Sequence, residues 1–140
     1  MKILVGGTFN IVHPGHVFFL EKAKSLGDYL VVVIANDKTV LKSKKFLLFS
    51  AEERKKMIES LKCVDKVVIG QESDFFKIVE KEKPDIVALG HDQTMEEEWI
   101  LERAEKMGMK IKIIRIKDKV DGYNTTEIMK KISKLMNGEN

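Results

Sequence analysis

The chain has 140 residues, 44% of them hydrophobic and 34% charged, a balance typical of one globular domain. Its 25 basic and 22 acidic side chains leave a net charge of +3. That value argues against a nucleic-acid-binding protein, because such proteins concentrate basic residues on one face. Cys63 has no cysteine to pair with, and the apolar N-terminal run is too short for a signal peptide or a membrane span. We therefore expect a cytoplasmic protein of one domain, residues 1–140, that binds neither nucleic acid nor membrane.

Short apolar, β-branched runs alternate along the chain with helical patterns. The runs predict strands at 3–5, 29–35, 66–69, 85–89 and 110–116. Apolar residues that recur every three or four positions predict helices at 15–26, 50–62, 74–82, 95–107 and 125–136. This alternation predicts an α/β fold, a Rossmann-like three-layer sandwich around a five-stranded parallel sheet. In such sheets, ligands bind beyond the carboxyl ends of the strands, where the winding reverses.

Several residues mark where the helices begin and end. Ser50 with Glu53 forms a capping box, and Asn124 with Glu127 forms a looser one. Gly27 and Gly108 follow predicted helices, where a positive φ is common. The stretch between the second strand and the helix at 50–62 is expected to be a loop that carries lysines.

The first predicted strand runs into Gly6-Gly7, and the sequence His13-Pro14-Gly15-His16 opens the first helix. The unpaired N–H groups and the positive dipole end of a helix N-terminus favour an anion. His13 and His16 are three residues apart, so both can project from one face of the first turn. Two imidazoles at that position are suited to holding a triphosphate and to stabilising charge during phosphoryl transfer.

Other interpretations of the histidine pair are open on the residues alone. An H-x-x-H fragment can be a fortuitous surface pair or half of a metal site. The glycines do not fit G-x-G-x-x-G or the P-loop pattern, so dinucleotide-binding and P-loop functions lack their motifs.

Four segments together resemble the cytidylyltransferase-like nucleotidyltransferases of the HIGH superfamily. Gly6-Gly7-Thr8-Phe9 followed by His13-Pro14-Gly15-His16 is similar to the family's signature. The further similar segments are Ser50 to Arg54 with Cys63 to Val68, Lys83 to Gln93, and Gly122 to Ile128. The resemblance implies the strand order 3-2-1-4-5. The chain departs from the family at Asn10, where many members have Asp or Pro, and at Asn124, where Ser is usual.

The resemblance and the residue chemistry together give a predicted nucleotide site. It comprises Thr8, Phe9, His13, Pro14, Gly15, His16, Asp92, Tyr123, Thr125 and Thr126. Asp92 either accepts hydrogen bonds from ribose hydroxyls or caps the helix that follows it. The two threonines either bind phosphate oxygens, cap the last helix, or do both. Tyr123 either packs beside the base or ribose or is a plain surface aromatic.

The remaining candidates concern the leaving group and the second substrate. Lys44 and Lys45, with Lys42 nearby, are predicted to neutralise the departing pyrophosphate, the alternative being a solvated charge run. Asp37, Arg54 and Lys119 are the second-substrate candidates. Asp37 either holds Mg²⁺ or makes a turn, and Arg54 either ties down the lysine loop or reaches a phosphate. Lys119 stands where the family has a phosphate-binding Arg.

Three aromatic residues carry less specific expectations. Phe18 and Phe19 are expected in the core. For Trp99, contact with the second substrate and contact with a subunit partner are both open.

Within the family, the chain looks most like the archaeal-type FAD synthases, which transfer AMP from ATP to FMN and release pyrophosphate. The resemblance implies Mg²⁺ as cofactor, no metal site built from a cluster of protein ligands, and a homodimer. Glycerol-3-phosphate cytidylyltransferase, which uses CTP and a small phosphomonoester, is the first alternative. A heptose-type sugar-phosphate nucleotidyltransferase is the next, and a nucleotide-binding sensor is the non-enzymatic alternative.

Overall fold

The computed structural model describes residues 1–43, 46–70, 75–90 and 97–138. Within those ranges the strands are β1 (Lys2–Gly7), β2 (Tyr29–Ile34), β3 (Lys66–Ile69), β4 (Ile86–Gly90) and β5 (Lys112–Ile116). The helices are α1 (Pro14–Lys24), α2 (Asp37–Ser43), α3 (Ala51–Glu59), α4 (Phe75–Glu82), α5 (Glu97–Lys106) and α6 (Thr125–Met136).

The five strands form one parallel sheet in the order β3-β2-β1-β4-β5, as predicted. β1 pairs with β2 from Lys2 to Gly7. The pairing of β1 with β4 covers only Ile3 with Ile86 and Leu4 with Val87. The direction of winding reverses between these two central strands. Their carboxyl ends therefore flank a crevice, which is where a ligand binds in such sheets.

Two apolar layers cover the sheet because alternate strand residues face opposite sides. Ile3, Val5 and Val32 lie on one side with residues of α1 and α3. Leu4 and Val31 lie on the other side with residues of α4 and α5. The strands are buried on both faces, as their nearly continuous apolar sequences predict.

One prediction about a connecting segment is wrong: the lysine stretch after β2 begins as the helix α2. The Asn36 side chain accepts a hydrogen bond from Thr39 N at 2.8 Å, which stabilises the first turn. Val40 is fully buried and anchors the turn to the core. A helix of seven residues with a single buried side chain has too short an apolar pattern to be detected by periodicity.

The residues that end or begin the helices match the predictions in part. The Ser50–Glu53 capping box is present, and the Asn124 side chain accepts from Glu127 N at 2.8 Å. Gly108 has the predicted positive φ of 70°, whereas Gly27 is not among the glycines with positive φ. A Cβ at Gly27 would collide with the carbonyl oxygen of Met1 and lie 2.8 Å from Ile3 Cδ1. Gly27 is therefore needed for close chain approach, and the expectation of positive φ there is wrong.

No helix in the described ranges is both long enough and apolar enough to cross a membrane. The last helix, α6, stands apart from the core, since none of its residues is buried. Its apolar side chains remain largely exposed, among them Met129, Ile132 and Leu135.

The two glycines give a stability prediction. We expect Gly27→Ala to destabilise the fold by about 1–3 kcal/mol through overpacking, and Gly27→Asn by more because its side chain is larger. Gly108→Ala should cost about 1–2 kcal/mol through backbone strain, and Gly108→Asn less because Asn tolerates positive φ. Urea denaturation of the four variants measures these differences. Better tolerance of Asn than of Ala at position 27 would contradict the explanation.

Candidate active site

A cavity of about 670 Å³ lies at the carboxyl ends of β1 and β4. Its size suits one small-molecule ligand. It is formed by the β1–α1 turn, the first turns of α1, the segment 118–124 and the start of α6. Among its lining residues are these predicted site residues: Thr8, Phe9, His13, Gly15, His16, Lys119, Tyr123, Thr125 and Thr126. Pro14 lines a neighbouring hollow of about 440 Å³ together with Tyr123.

The two histidines lie side by side at the N-terminus of α1, as their spacing predicts. Their ring centroids are 3.8 Å apart, with 29° between the planes. His13 is the N-cap of α1, and its Nδ1 accepts a hydrogen bond from Gly15 N at 3.1 Å. His16 reaches back, and its Nδ1 accepts from His13 N at 3.2 Å. The rings thus serve as caps for the helix that presents them.

These hydrogen bonds decide which ring nitrogen carries the proton when each imidazole is neutral. A ring nitrogen that accepts from a backbone N–H carries no proton, so the proton of each neutral ring is on Nε2. Burial lowers the pKa of His13 below its ordinary value, so this ring is neutral near pH 7. A neutral His13 can donate one hydrogen bond through Nε2–H to an anionic oxygen without a full charge.

Phe9 supports His16 from the β1–α1 turn. Phe9 is 3% exposed, and its ring centroid lies 5.0 Å from that of His16. Its φ is +53°, an unfavourable conformation for a bulky residue, and such strain is common at functional sites. A Cβ at Gly7 would come within 2.7 Å of the Phe9 ring, so the glycine makes room for it. The Phe9 side chain therefore positions His16, although it was predicted only as a nucleotide contact.

Gly15 allows the segment 118–124 to approach the start of α1. A Cβ on Gly15 would lie 2.8 Å from the carbonyl oxygen of Tyr123. The segment then turns at Gly122, which has φ of +83°, and enters α6 through the Asn124 cap. As a result, the N-termini of α1 and α6 both open onto the cavity, and both favour an anion there.

Arg54 and Asp37 lie outside this cavity lining and contact each other. The Arg54 guanidinium is fully buried and donates to Thr8 O at 2.9 Å, Ala35 O at 2.7 Å and Asp37 Oδ1 at 2.9 Å. The same Oδ1 accepts from Ala51 N at 2.8 Å. These contacts favour the alternative in which Arg54 ties down the chain, and they give Asp37 a structural role.

Some predicted site residues lie outside the described ranges, and two residues that line the cavity were not predicted as site residues. Lys44, Lys45 and Asp92 lie outside the described residues. Phe18 and Phe19, expected in the core, are partly buried and line the cavity, and Phe19 also packs against the core residues on the α1 side of the sheet. The spacing contained a signal for Phe19, because it follows His16 by three residues and so shares its helix face.

Trp99 also lies outside the lining. It packs edge-on against Phe76, with ring centroids 6.2 Å apart, and Arg103 stacks over its ring at 5.0 Å. Trp99 therefore has an intramolecular packing partner on α4.

In the described part of the chain, no group of three or more His, Cys, Asp or Glu side chains could hold a metal ion. The cavity lining does include the carboxylates of Asp118 and Asp121. Carboxylate oxygens are ligands that Mg²⁺ prefers, so this lining fits a hydrated ion that arrives on substrate phosphates.

The burial of His13 gives a pH prediction. Because its pKa is lowered on folding, the unfolded chain binds more protons there, so the stabilising contribution is complete above pH 6.5. It is lost as pH falls through the folded pKa, when protonated Nδ1 can no longer accept from Gly15 N. We expect His13→Asn, which keeps a capping oxygen, to lose less stability between about pH 7.5 and 5 than the wild type. Denaturation curves at several pH values measure this, and parallel pH profiles would contradict it.

Comparison with known proteins agrees with this geometry. The chain is 50% identical to a FAD synthase of Ferroglobus placidus over 120 residues, 86% of this chain and 78% of that protein. It is 41% identical to a FAD synthase of Picrophilus torridus over 98% and 99% of the two chains. The crystal structure of a lipopolysaccharide core biosynthesis protein from Thermoplasma volcanium superposes with a TM-score of 0.81 at 40% identity, covering 86% and 98%. The cytidylyltransferase-like family profile matches residues 4–133, and the chain belongs to that family.

Proposed function

We propose that this protein transfers AMP from ATP to FMN, giving FAD and pyrophosphate. The observation that carries the proposal is the pair of stacked imidazoles held at a helix N-terminus inside the cavity. Similarity to FAD synthases over most of the chain supports ATP and FMN as the substrates.

The reaction is an in-line displacement at the α-phosphorus of ATP. An oxygen of the FMN phosphate forms the new O–P bond, and the bond from the α-phosphorus to the oxygen that bridges to the β-phosphate breaks. A phosphate monoester is largely ionised near neutral pH, so no general base is required. Catalysis depends on positioning the substrates and on neutralising charge.

The residues of the predicted site supply these two functions. His13 donates through Nε2–H to the α-phosphoryl oxygens, and His16 acts beside it. The start of α6, with Thr125 and Thr126, adds backbone and hydroxyl donors for phosphate oxygens. Lys44 and Lys45 neutralise the leaving pyrophosphate, and Asp92 binds the ribose. A divalent cation, Mg²⁺ by preference, bound to the triphosphate would neutralise part of its charge.

Pyrophosphate release with different substrate pairs tests the proposal. ATP with FMN should release pyrophosphate and form FAD in equal amounts. CTP with glycerol 3-phosphate tests the cytidylyltransferase alternative, and ATP with a heptose 1-phosphate tests the sugar-phosphate alternative. Nucleotide binding with no pyrophosphate from any pair would show a sensor.

Substitution of His16 gives the most direct test of the role assigned to the histidine pair. We expect His16→Ala to lower kcat by about 10²-fold or more, since removal of one transition-state hydrogen-bond donor has an effect of that size. Steady-state kinetics with ATP and FMN measure it, and a thermal melt checks that the variant is folded. Lys56→Ala, an exposed site on α3 outside the cavity lining, is the matched control. Near-wild-type turnover in His16→Ala would refute the assigned role.

We also propose that the protein is a cytoplasmic homodimer. Its free Cys63 suits a reducing compartment. The exposed residues Met129, Ile132 and Leu135 form an apolar stripe along α6, with the spacing of a helix face that packs on a partner. A second copy of the chain would cover that stripe.

Two substitutions on α6 test the proposed dimer. We expect Ile132→Glu to convert a dimeric mass to a monomeric one, because it buries a charge in the interface. Lys134→Glu lies two residues on, on the opposite face of α6, and should leave the mass unchanged. Light scattering measures both, and a dimer that survives Ile132→Glu would exclude this helix as the interface.

A further inference from the structure

Asn10, one of the departures from the family sequence, connects two distant parts of the chain. It lies three residues before His13, in the β1–α1 turn, and it is 6% exposed. Its Nδ2 donates to Phe46 O at 2.9 Å, and its Oδ1 accepts from Leu48 N at 3.0 Å. One side-chain amide thus satisfies a backbone acceptor and a backbone donor more than thirty residues away. The side chain thus makes the kind of paired hydrogen bonds with the backbone that a neighbouring strand makes in a sheet.

Arg54 also connects the β1–α1 turn with the segment 46–49. Its guanidinium donates to Thr8 O at 2.9 Å and, through Nε, to Phe49 O at 3.0 Å. The turn at residues 8–10 and the segment 46–49 therefore share two independent polar connections, both buried. Buried polar groups that are fully paired hold a single geometry, because each lost hydrogen bond leaves a costly unsatisfied partner.

We propose that Asn10 is a positioning residue for the nucleotidyl transfer. It fixes the segment 46–49 relative to His13 and His16, and in the sequence Phe46 directly follows the lysine pair assigned to the leaving pyrophosphate. This inference rests on the proposed function. In a reaction without a general base, a displacement of about 1 Å between charge-neutralising groups can cost about 10²-fold in rate.

The amide chemistry explains why Asn is required at this position in this chain. An aspartate could accept from Leu48 N but could not donate to Phe46 O, and its charge would face that carbonyl oxygen. Asn10→Asp therefore keeps the shape and the acceptor and removes the donor alone. Arg54, which donates to Thr8 O, is a neighbouring charged group in the described structure.

A double-mutant cycle tests the inference. Asn10→Asp should lower kcat by about tenfold or more, with a smaller change in KM for ATP. In a Lys44→Ala, Lys45→Ala background the same substitution should have little further effect on kcat, because the groups that it positions are gone. Hydrogen exchange of the peptide covering 46–49 should become faster in Asn10→Asp.

The controls separate positioning from general loss of stability. Ile58→Val removes one methylene from the fully buried core and should lower the stability by about 1 kcal/mol without lowering kcat. An equal fold-loss in kcat from Asn10→Asp in both backgrounds, or no loss in the wild-type background, would overturn the inference. The proposed function fails in a different way, if the wild-type protein releases no pyrophosphate from ATP and FMN.

Discussion

The site depends on hydrogen bonds that run from the main chain of α1 to the histidines that begin it. Each ring accepts one backbone N–H through Nδ1, and the two rings stack. Helix capping and ligand binding are thus carried by the same side chains. Because the Nδ1 atom of each ring faces the helix backbone in order to cap it, both Nε2 atoms point away from that backbone. Formation of the helix therefore sets the geometry of the site before any nucleotide arrives.

The sheet topology explains why this turn faces a cavity. β1 and β4 are paired only near their amino ends, and the chain winds in opposite directions from them. Their carboxyl ends are covered by the segment 118–124, which can approach α1 closely because Gly15 has no side chain. A glycine, a proline and two histidines thus meet the requirements of the turn, the helix start and the ligand at once.

The sequence was sufficient for features that repeat along the chain and insufficient for single contacts. Both helix caps at Ser50 and Asn124 and the bounds of α6 were predicted, because periodicity and capping residues report them directly. The strand order was predicted from the resemblance to the family. The helix α2 was missed because its apolar pattern is too short. The reason for Gly27 was wrong, since contact with Met1 O is a long-range event that no local pattern reports.

The same limit applied to the candidate site. The histidine spacing predicted their shared face, and the cavity brings most of the predicted nucleotide residues together. Sequence reasoning left two roles open for Arg54. Burial favours one of them, because four of the five N–H donors of its guanidinium are already used within the protein. Phe9 was predicted as a nucleotide contact, and it lines the cavity. Its positive φ and its position behind His16 became apparent only in three dimensions.

A transferase without a general base has to obtain its rate from geometry. For that reason the polar residues behind the site matter as much as those that line it. Arg54 reaches the cavity lining through Thr8 O, and together with Asn10 it joins the turn at residues 8–10 to the segment after the lysines. A lysine pair can neutralise a leaving pyrophosphate efficiently only if the backbone beside it is held in place. A buried amide and a buried guanidinium are suited to this task, since each hydrogen-bonds to backbone groups of the segment 46–49.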